Sequence, residues 1–591
     1  MRAILLVLIF AISSAGAIRA AEVRLVLTRE DADLASDLRA ASLTVSTAAQ
    51  PDSRAQDVLA AARADYQRLI GILYAQGYYG PEISIRVDGR EAAGLAPFDA
   101  PDEIGEVVLT VTPGPRFRFS RAEVKPLAPG TVLPEGFAPG AIARSTLIQR
   151  AARAGVNGWR AVGHAKARVA DQAITADHRA RMLDAIIRLA PGPELRFGRL
   201  LIRNESAVRP ARIRAIAGLP VGETFSPDEV ERSAKRLRRS GAFRSVALRE
   251  AEQPNPDGTL DITATLLDEK KRRLGFGARL SSLEGLGISA YWLHRNLLGG
   301  AERLRVDGEV NGIGGNSGGI DFSFGTSLSR PATFSPDTTL TFRGLFEVLD
   351  EPDFFERKIE LGVDLSHKYT ERLDVSGGLG LRYAEVDDDL GRRDILLLTL
   401  PLGVTWDRRD PPLDPGGGFY LNATAEPFVA FDGSTAGARL FADARAYREM
   451  GERLVLAGRI QMGSVIGPRI DDVPPDMLFF SGGGGTVRGQ PYQSLGVDLA
   501  GGQRVGGRAF LGLSGEVRID VSDKIGLVGF ADAGFIGSDS IPGGNGEWHS
   551  GAGLGLRYET GLGPIRLDVA APVGGTTGDG VQLYIGIGQA F

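Results

Sequence analysis

The chain has 591 residues, 79 of them Gly and none Cys, with 43% hydrophobic residues and a formal net charge of -5. That length exceeds one core and requires several domains, while the lack of Cys excludes disulfides, thiolate zinc sites and a cysteine nucleophile. The near balance of 68 basic and 73 acidic residues offers no electrostatic case for nucleic acid, and beyond the N-terminus no apolar run approaches the roughly 20 residues of a helical membrane span.

Arg2 precedes an apolar run at residues 4–12, then small residues and a small-x-small site at Ala15-Gly16-Ala17, with Ala20-Ala21 as a second candidate. Residues 1–20 read as a secretory signal peptide. A chain so addressed, without other helical spans, belongs in the periplasm, the outer membrane or outside the cell.

Repeats follow. Pro113-Gly-Pro-Arg-Phe-Arg118 recurs as Pro191-Gly-Pro-Glu-Leu-Arg196, an interval the size of a small domain. An amphipathic helix, then Gly and a ring, then an alternating strand recurs at Gly77-Tyr78-Tyr79, Gly163-His164 and Gly241-Ala-Phe243. Three small α+β units therefore fit before residue 270, predicted at 21–115, 116–193 and 194–270. In the third, Ser226-Pro-Asp-Glu229 is a capping box opening a helix, and the predicted order is β-α-α-β-β. Exposed edges of such sheets can bind other chains by strand addition, or the units can be plain spacers.

Residues 1–270 hold 20 Gly and residues 271–591 hold 59, so two architectures meet near 270. In the second, Leu274, Phe276, Ala278 and Leu280 alternate with Arg273, Gly275, Gly277 and Arg279, and the period of two recurs to the final residues 581–591. A face of Gly, Arg, Asp and Gln opposite an apolar face is the inverted pattern of an all-β transmembrane barrel, with a soluble sandwich as the alternative. The chain ends on Phe591, inside the expected last strand, which would close against the first.

Several segments resemble the BamA-type outer-membrane assembly and translocation factors, whose periplasmic units are POTRA domains. Arg295-Asn-Leu-Leu-Gly299 is similar to that family's RNLLG segment, and residues 407–418, beginning Asp407-Arg-Arg-Asp410-Pro, to its strand-and-turn signature. Pro474-Pro-Asp-Met-Leu-Phe-Phe-Ser-Gly-Gly483 leading to Val487-Arg488-Gly489 resembles its lumenal loop. Phe530-Ala-Asp532-Ala-Gly534 and Gly563-Pro-Ile-Arg-Leu-Asp568 resemble two of its strands. Three units, residues 76–81 and the ending at 583–588 look most like the TamA (translocation and assembly module) branch. One departure is Gln490, where the family carries an aromatic residue; Tyr492 is the nearest substitute.

The resemblance implies sixteen strands over 271–591, a lumenal loop around 481–508, and a loop lock in which Arg488 and Gly489 are held by Asp532, with Asp568 as a weaker partner. An unpaired guanidinium in a lumen loses hydration without compensation, so a carboxylate is required. It also implies a lateral seam between the first strand, with Gly275 and Gly277, and the last, with Gly586, Gly588 and Phe591. Client strands would pair there and pass into lipid. The implied partners are unfolded outer-membrane or autotransporter clients, the lipid bilayer and a TamB-like inner-membrane-anchored protein. The implied location is the outer membrane, with the POTRA domains in the periplasm.

No catalytic reading survives: Gly315-Asn-Ser317-Gly-Gly319 matches G-x-S-x-G but lies in a turn between strands, where a nucleophile elbow needs a strand then a helix. The five His are scattered without metal-ligand spacing, and the Gly-rich runs lie within strands, so no metal, nucleotide or other cofactor is expected. A two-partner-type secretion pore and a passive channel remain as other classes.

Overall fold

The structure is a computed structural model that describes residues 21–96, 101–281, 285–315, 318–499, 504–561 and 563–591. The expected signal peptide lies outside the described residues, as do Asn316 and Ser317 of the G-x-S-x-G match.

The chain opens with strand Glu22–Leu27, which lies parallel to Glu106–Thr112, in a sheet completed by Glu82–Val87 and Arg90–Glu91. Helix Ala55–Ala75 covers it, burying Val58, Leu59, Ala62, Leu69 and Leu73 in one core with Ile85, Val107 and Leu109. Inside this helix sits a fully buried carboxylate. Asp65 accepts from Ser42 Oγ at 2.5 Å, Leu43 N at 2.8 Å and Thr44 N at 3.0 Å, so it caps the short helix Leu43–Ala48 from a distant position. Asp65→Ala leaves three donors without an acceptor and is expected to destabilise this unit by about 2–4 kcal/mol. Limited proteolysis of the full chain checks this, since cutting should concentrate in residues 42–75.

A second sheet sets Arg118–Lys125 parallel to Met182–Ala190, with Arg168–Asp177 on the far side. Its one described helix is Ser145–Ala161, so this unit reads β-α-β-β where β-α-α-β-β was expected. Residues 126–144 carry Pro126, Pro129, Pro134 and Pro139, which remove helix donors, and Gly130, Gly136 and Gly140 adopt positive φ. The third sheet, in the order Arg196–Ile202, Thr259–Asp268, Phe243–Glu250, accompanies helices Pro210–Ala217 and Pro227–Arg239 and keeps the expected order.

Residues 272–587 build a closed antiparallel barrel of seventeen segments. Gly391–Thr399 and Leu402–Asp407 both lie between Leu373–Asp388 and Gly418–Ala430, interrupted at Pro401, which has no N–H for the ladder. Seventeen segments thus fill sixteen positions around the wall. Phe354–Thr370 shows the alternation best: Phe355, Ile359, Leu361, Val363 and Leu365 are exposed, while Glu356, Lys358 and Glu360 are buried on the lumenal side. Phe276 is 82% exposed and Leu554 73%, a penalty in water but not in hydrocarbon. Among the described residues no helix is long and apolar enough to cross a membrane.

The chain divides into two compact units, one running to Arg199 with Pro220–Glu229 and Ala251–Asp261, the other comprising Leu200–Leu219, Val230–Glu250 and Ile262–Phe591. Within the second, the turn before strand Thr338–Glu351 presents Asp337 to Arg236 (Nη2 to Oδ2, 2.6 Å) and Arg239 (Nη2 to Oδ1, 2.6 Å). Burial pushes the Asp337 carboxyl up, but hydrogen bonds from Arg236 and Arg239 outweigh it and hold it below the usual carboxylate range. A lowered folded value means that this clasp contributes fully above the ordinary Asp pKa and is lost as pH falls through the lowered one. Hydrogen exchange across Pro227–Arg239, corrected for intrinsic rates, should therefore rise below about pH 4. Asp337→Asn should show the raised exchange already at neutral pH.

Candidate functional site: a locked lumenal loop beside a weak seam

Between wall strands Leu454–Ile466 and Ala509–Asp520 the chain enters the lumen, described at residues 467–499 and 504–508, so the inserted segment begins well before residue 481. Its apolar side chains, Val473, Met477, Leu478, Phe479 and Leu495, pack against Leu397, Phe428, Val465, Phe510 and Ile536 of the wall.

At the loop tip Arg488 is 3% exposed. Its Nε lies 2.7 Å from Asp532 Oδ2 and its Nη2 3.0 Å from Oδ1, a bidentate pair, and the Arg488 backbone N–H adds a third bond to Asp532 at 3.1 Å. Nη1 reaches Glu516 Oε1 at 2.7 Å and, more weakly, Asp568 Oδ2 at 3.4 Å. The guanidinium carbon stands 3.6 Å from the centre of the Phe530 ring. Arg518 also holds Glu516 at 2.8 Å, and Arg557 holds Asp568 at 2.5 Å. Buried charges of both signs thus neutralise one another.

Alternation puts these groups together, since Glu516, Arg518, Asp532, Arg557 and Asp568 all occupy lumen-facing positions of neighbouring strands. Asp532 and Asp568 were singled out from sequence; Glu516, Arg518 and Arg557 were not. A signal existed in Glu516-Val-Arg518, two opposite charges two residues apart inside an apolar strand. Gly489 has φ +93°, and a Cβ there would lie 2.6 Å from Ala571 O, so the tip can touch the wall only as glycine.

Gln490, in the aromatic residue's place, is fully buried. Its Nε2 donates to Ser550 O at 2.8 Å and Gly574 O at 3.0 Å, and its Oε1 accepts from Thr577 Oγ1 at 3.0 Å, so an amide ties the tip to two adjacent strands. Tyr492 does not take over that place: its hydroxyl reaches Glu351 at 3.1 Å. His549 adds another tie, Nε2 to Ser481 Oγ at 2.7 Å.

The seam lies beside this lock. Strand Arg272–Ser281 pairs with Gly285–His294 at ten positions, but with the last strand, Gln582–Ile587, at Ser281↔Tyr584 alone among the described residues. Gly489 N donates to Tyr584 Oη at 3.1 Å, joining loop tip and last strand. Gly275 lies under the Tyr291 ring, which occupies the space a Cβ would take. Two expectations need correction. Gly588 is not in the last strand, which stops at Ile587; Gly588 has φ +87° and residues 588–591 turn away. Phe591 consequently closes nothing at the seam: it is buried with Tyr447 and Ala457, and its carbonyl accepts from Arg518 Nη2 at 3.1 Å. Gly277 and Gly586 are in the two seam strands as expected.

A family model described as the Omp85 superfamily domain matches residues 296–591. The chain belongs to the Omp85 superfamily. Among solved structures, this Omp85 protein resembles BamA from Haemophilus ducreyi lacking POTRA domains 1–3, with TM-score 0.62 and 17% identity over 79% of this chain and 99% of that one, a likeness of fold. It also matches CdiB from Escherichia coli, with TM-score 0.49 and 15% identity over 80% of this chain and 91% of that one. The POTRA3–5 structure of Haemophilus influenzae BamA matches with TM-score 0.31 and 17% identity over 44% of this chain and all of that one. The small α+β sheets ahead of the Omp85 barrel are POTRA-like units.

Proposed function

We propose that this Omp85 protein is an outer-membrane translocation and assembly factor of the TamA kind, which inserts or secretes β-barrel and autotransporter-type clients through the seam between its first and last strands. The carrying observation is the imbalance around strand Arg272–Ser281: among the described residues, ten register pairs on one side and one on the other. A strand edge with free N–H and C=O groups is a template for an incoming strand, and burial of the client's apolar face in lipid drives the step without nucleotide. The Arg488, Gly489, Asp532 and Asp568 lock holds the loop tip against the last strand and keeps the wall in register while it opens. The POTRA-like units lie in the periplasm, where their sheet edges receive clients and a TamB-like partner anchored in the inner membrane.

A photo-activatable residue at Phe276, on the seam strand and facing lipid, tests this directly. During assembly of an unfolded autotransporter client by protein in lipid vesicles, an adduct between this position and the client's terminal strand is expected. Client that assembles at the normal rate while irradiation during assembly yields no such adduct would sink the lateral route and favour passage through the lumen, as in a two-partner-type secretion pore.

A further inference from the structure

The loop has a second charged anchor, opposite in sign to the first. A single 3-10 turn, Pro475–Met477, presents Asp476 to the wall. Its Oδ2 accepts from Lys358 Nζ at 2.6 Å, its two oxygens lie 3.3 and 3.4 Å from Arg382 Nη1, and its backbone N–H points at Glu356 Oε2 at 3.4 Å. Arg439 Nε donates to the next carbonyl, Met477 O, at 3.0 Å. The side chains of Asp476, Lys358 and Arg382 are 11%, 9% and 11% exposed.

Position around the wall gives this cluster its meaning. Lys358 and Arg382 belong to Phe354–Thr370 and Leu373–Asp388, the sixth and seventh positions counted from the first strand. Glu516, Asp532 and Asp568, which hold Arg488, belong to the twelfth, thirteenth and fifteenth. In a closed ring of sixteen these two groups face each other across the lumen. An acidic loop residue pairs with wall cations at one end, and a basic loop residue pairs with wall carboxylates at the other, so exchanging the ends would set like charges against one another at both.

We propose that Asp476 is a positioning residue, the far anchor that makes residues 476–488 a tie across the lumen and so keeps the Arg488 end seated against the last strand. This deepens the proposed role of the seam and rests on that reading for its purpose, though its geometry and test do not involve a client. Lys358 also contacts Glu347 at 2.6 Å and Arg382 contacts Glu360 at 3.4 Å, so losing the Asp476 charge leaves each wall cation a wall carboxylate and the barrel able to fold.

The natural chain has no Cys, so one introduced thiol reports only its own site. Val487→Cys places it beside Arg488, at a fully buried position, in the full chain reconstituted in lipid vesicles. Adding Asp476→Asn should speed labelling by a water-soluble maleimide about tenfold, the size expected of coupling through one packed network. Heat-dependent gel migration should persist, and the charge-conserving Asp476→Glu should restore slow labelling. Labelling at the parental rate in Asp476→Asn, or a rise that Asp476→Glu does not reverse, would overturn the proposal. A rise accompanied by loss of heat-dependent migration would also overturn it, assigning Asp476 to barrel stability instead. None of these outcomes depends on whether clients leave through the seam.

Discussion

Arg488→Ala is expected to leave the chain inserted in the membrane, to lower the temperature at which it loses heat-dependent gel migration, and to abolish most client assembly. The reason lies in which carboxylate is stranded. Glu516 keeps Arg518 and Asp568 keeps Arg557, but Asp532 has no hydrogen-bonding side chain other than Arg488 among the described residues. Breaking one side of a buried pair typically costs about 3–5 kcal/mol, because the remaining charge has neither water nor a partner. Arg488→Lys should recover only part of the loss, since one ammonium cannot make the bidentate contact with Asp532 and also reach Glu516. Assembly and melting temperature both unchanged in Arg488→Ala would remove the lock from the mechanism.

Tethering the seam should be as damaging by the opposite route. With cysteines replacing Ser281 and Tyr584, the one register pair described between first and last strands, oxidation is expected to stop client assembly and reductant to restore it. Each ladder hydrogen bond contributes about 1 kcal/mol net, so a boundary with one described pair is held by less backbone bonding among the described residues than its neighbours, which share many. The reduced double variant provides the baseline, because it has also lost the Gly489 bond to Tyr584. Full-rate assembly by the tethered protein would show that lateral opening is not required.

Much of this was legible in the residues, for reasons that are local. Alternation at residues 274–280 and the excess of Gly after residue 270 define which face meets lipid, because side chains on a strand point alternately to its two sides. Arg488 stood out because a guanidinium in a Gly-rich loop needs an acid. What escaped was set by neighbours distant in sequence. Asp476 looked like one residue of a motif until the barrel brought Lys358 and Arg382 to it. The missing helix at residues 126–144 is the exception: four prolines there were visible beforehand, and the analogy with the third unit outweighed them.

The sequence alone determined that the second half forms strands with an apolar exterior and a polar interior, that small α+β units precede it, and that Arg488 requires an acid. Only the tertiary structure decided that sixteen wall positions close with a single described pair at the seam, that Glu516 shares Arg488 with Asp532, and that Phe591 folds into the lumen. The division follows from range: period and composition act within a few residues, whereas closure and charge pairing depend on which strands become neighbours, a choice made by the whole barrel at once.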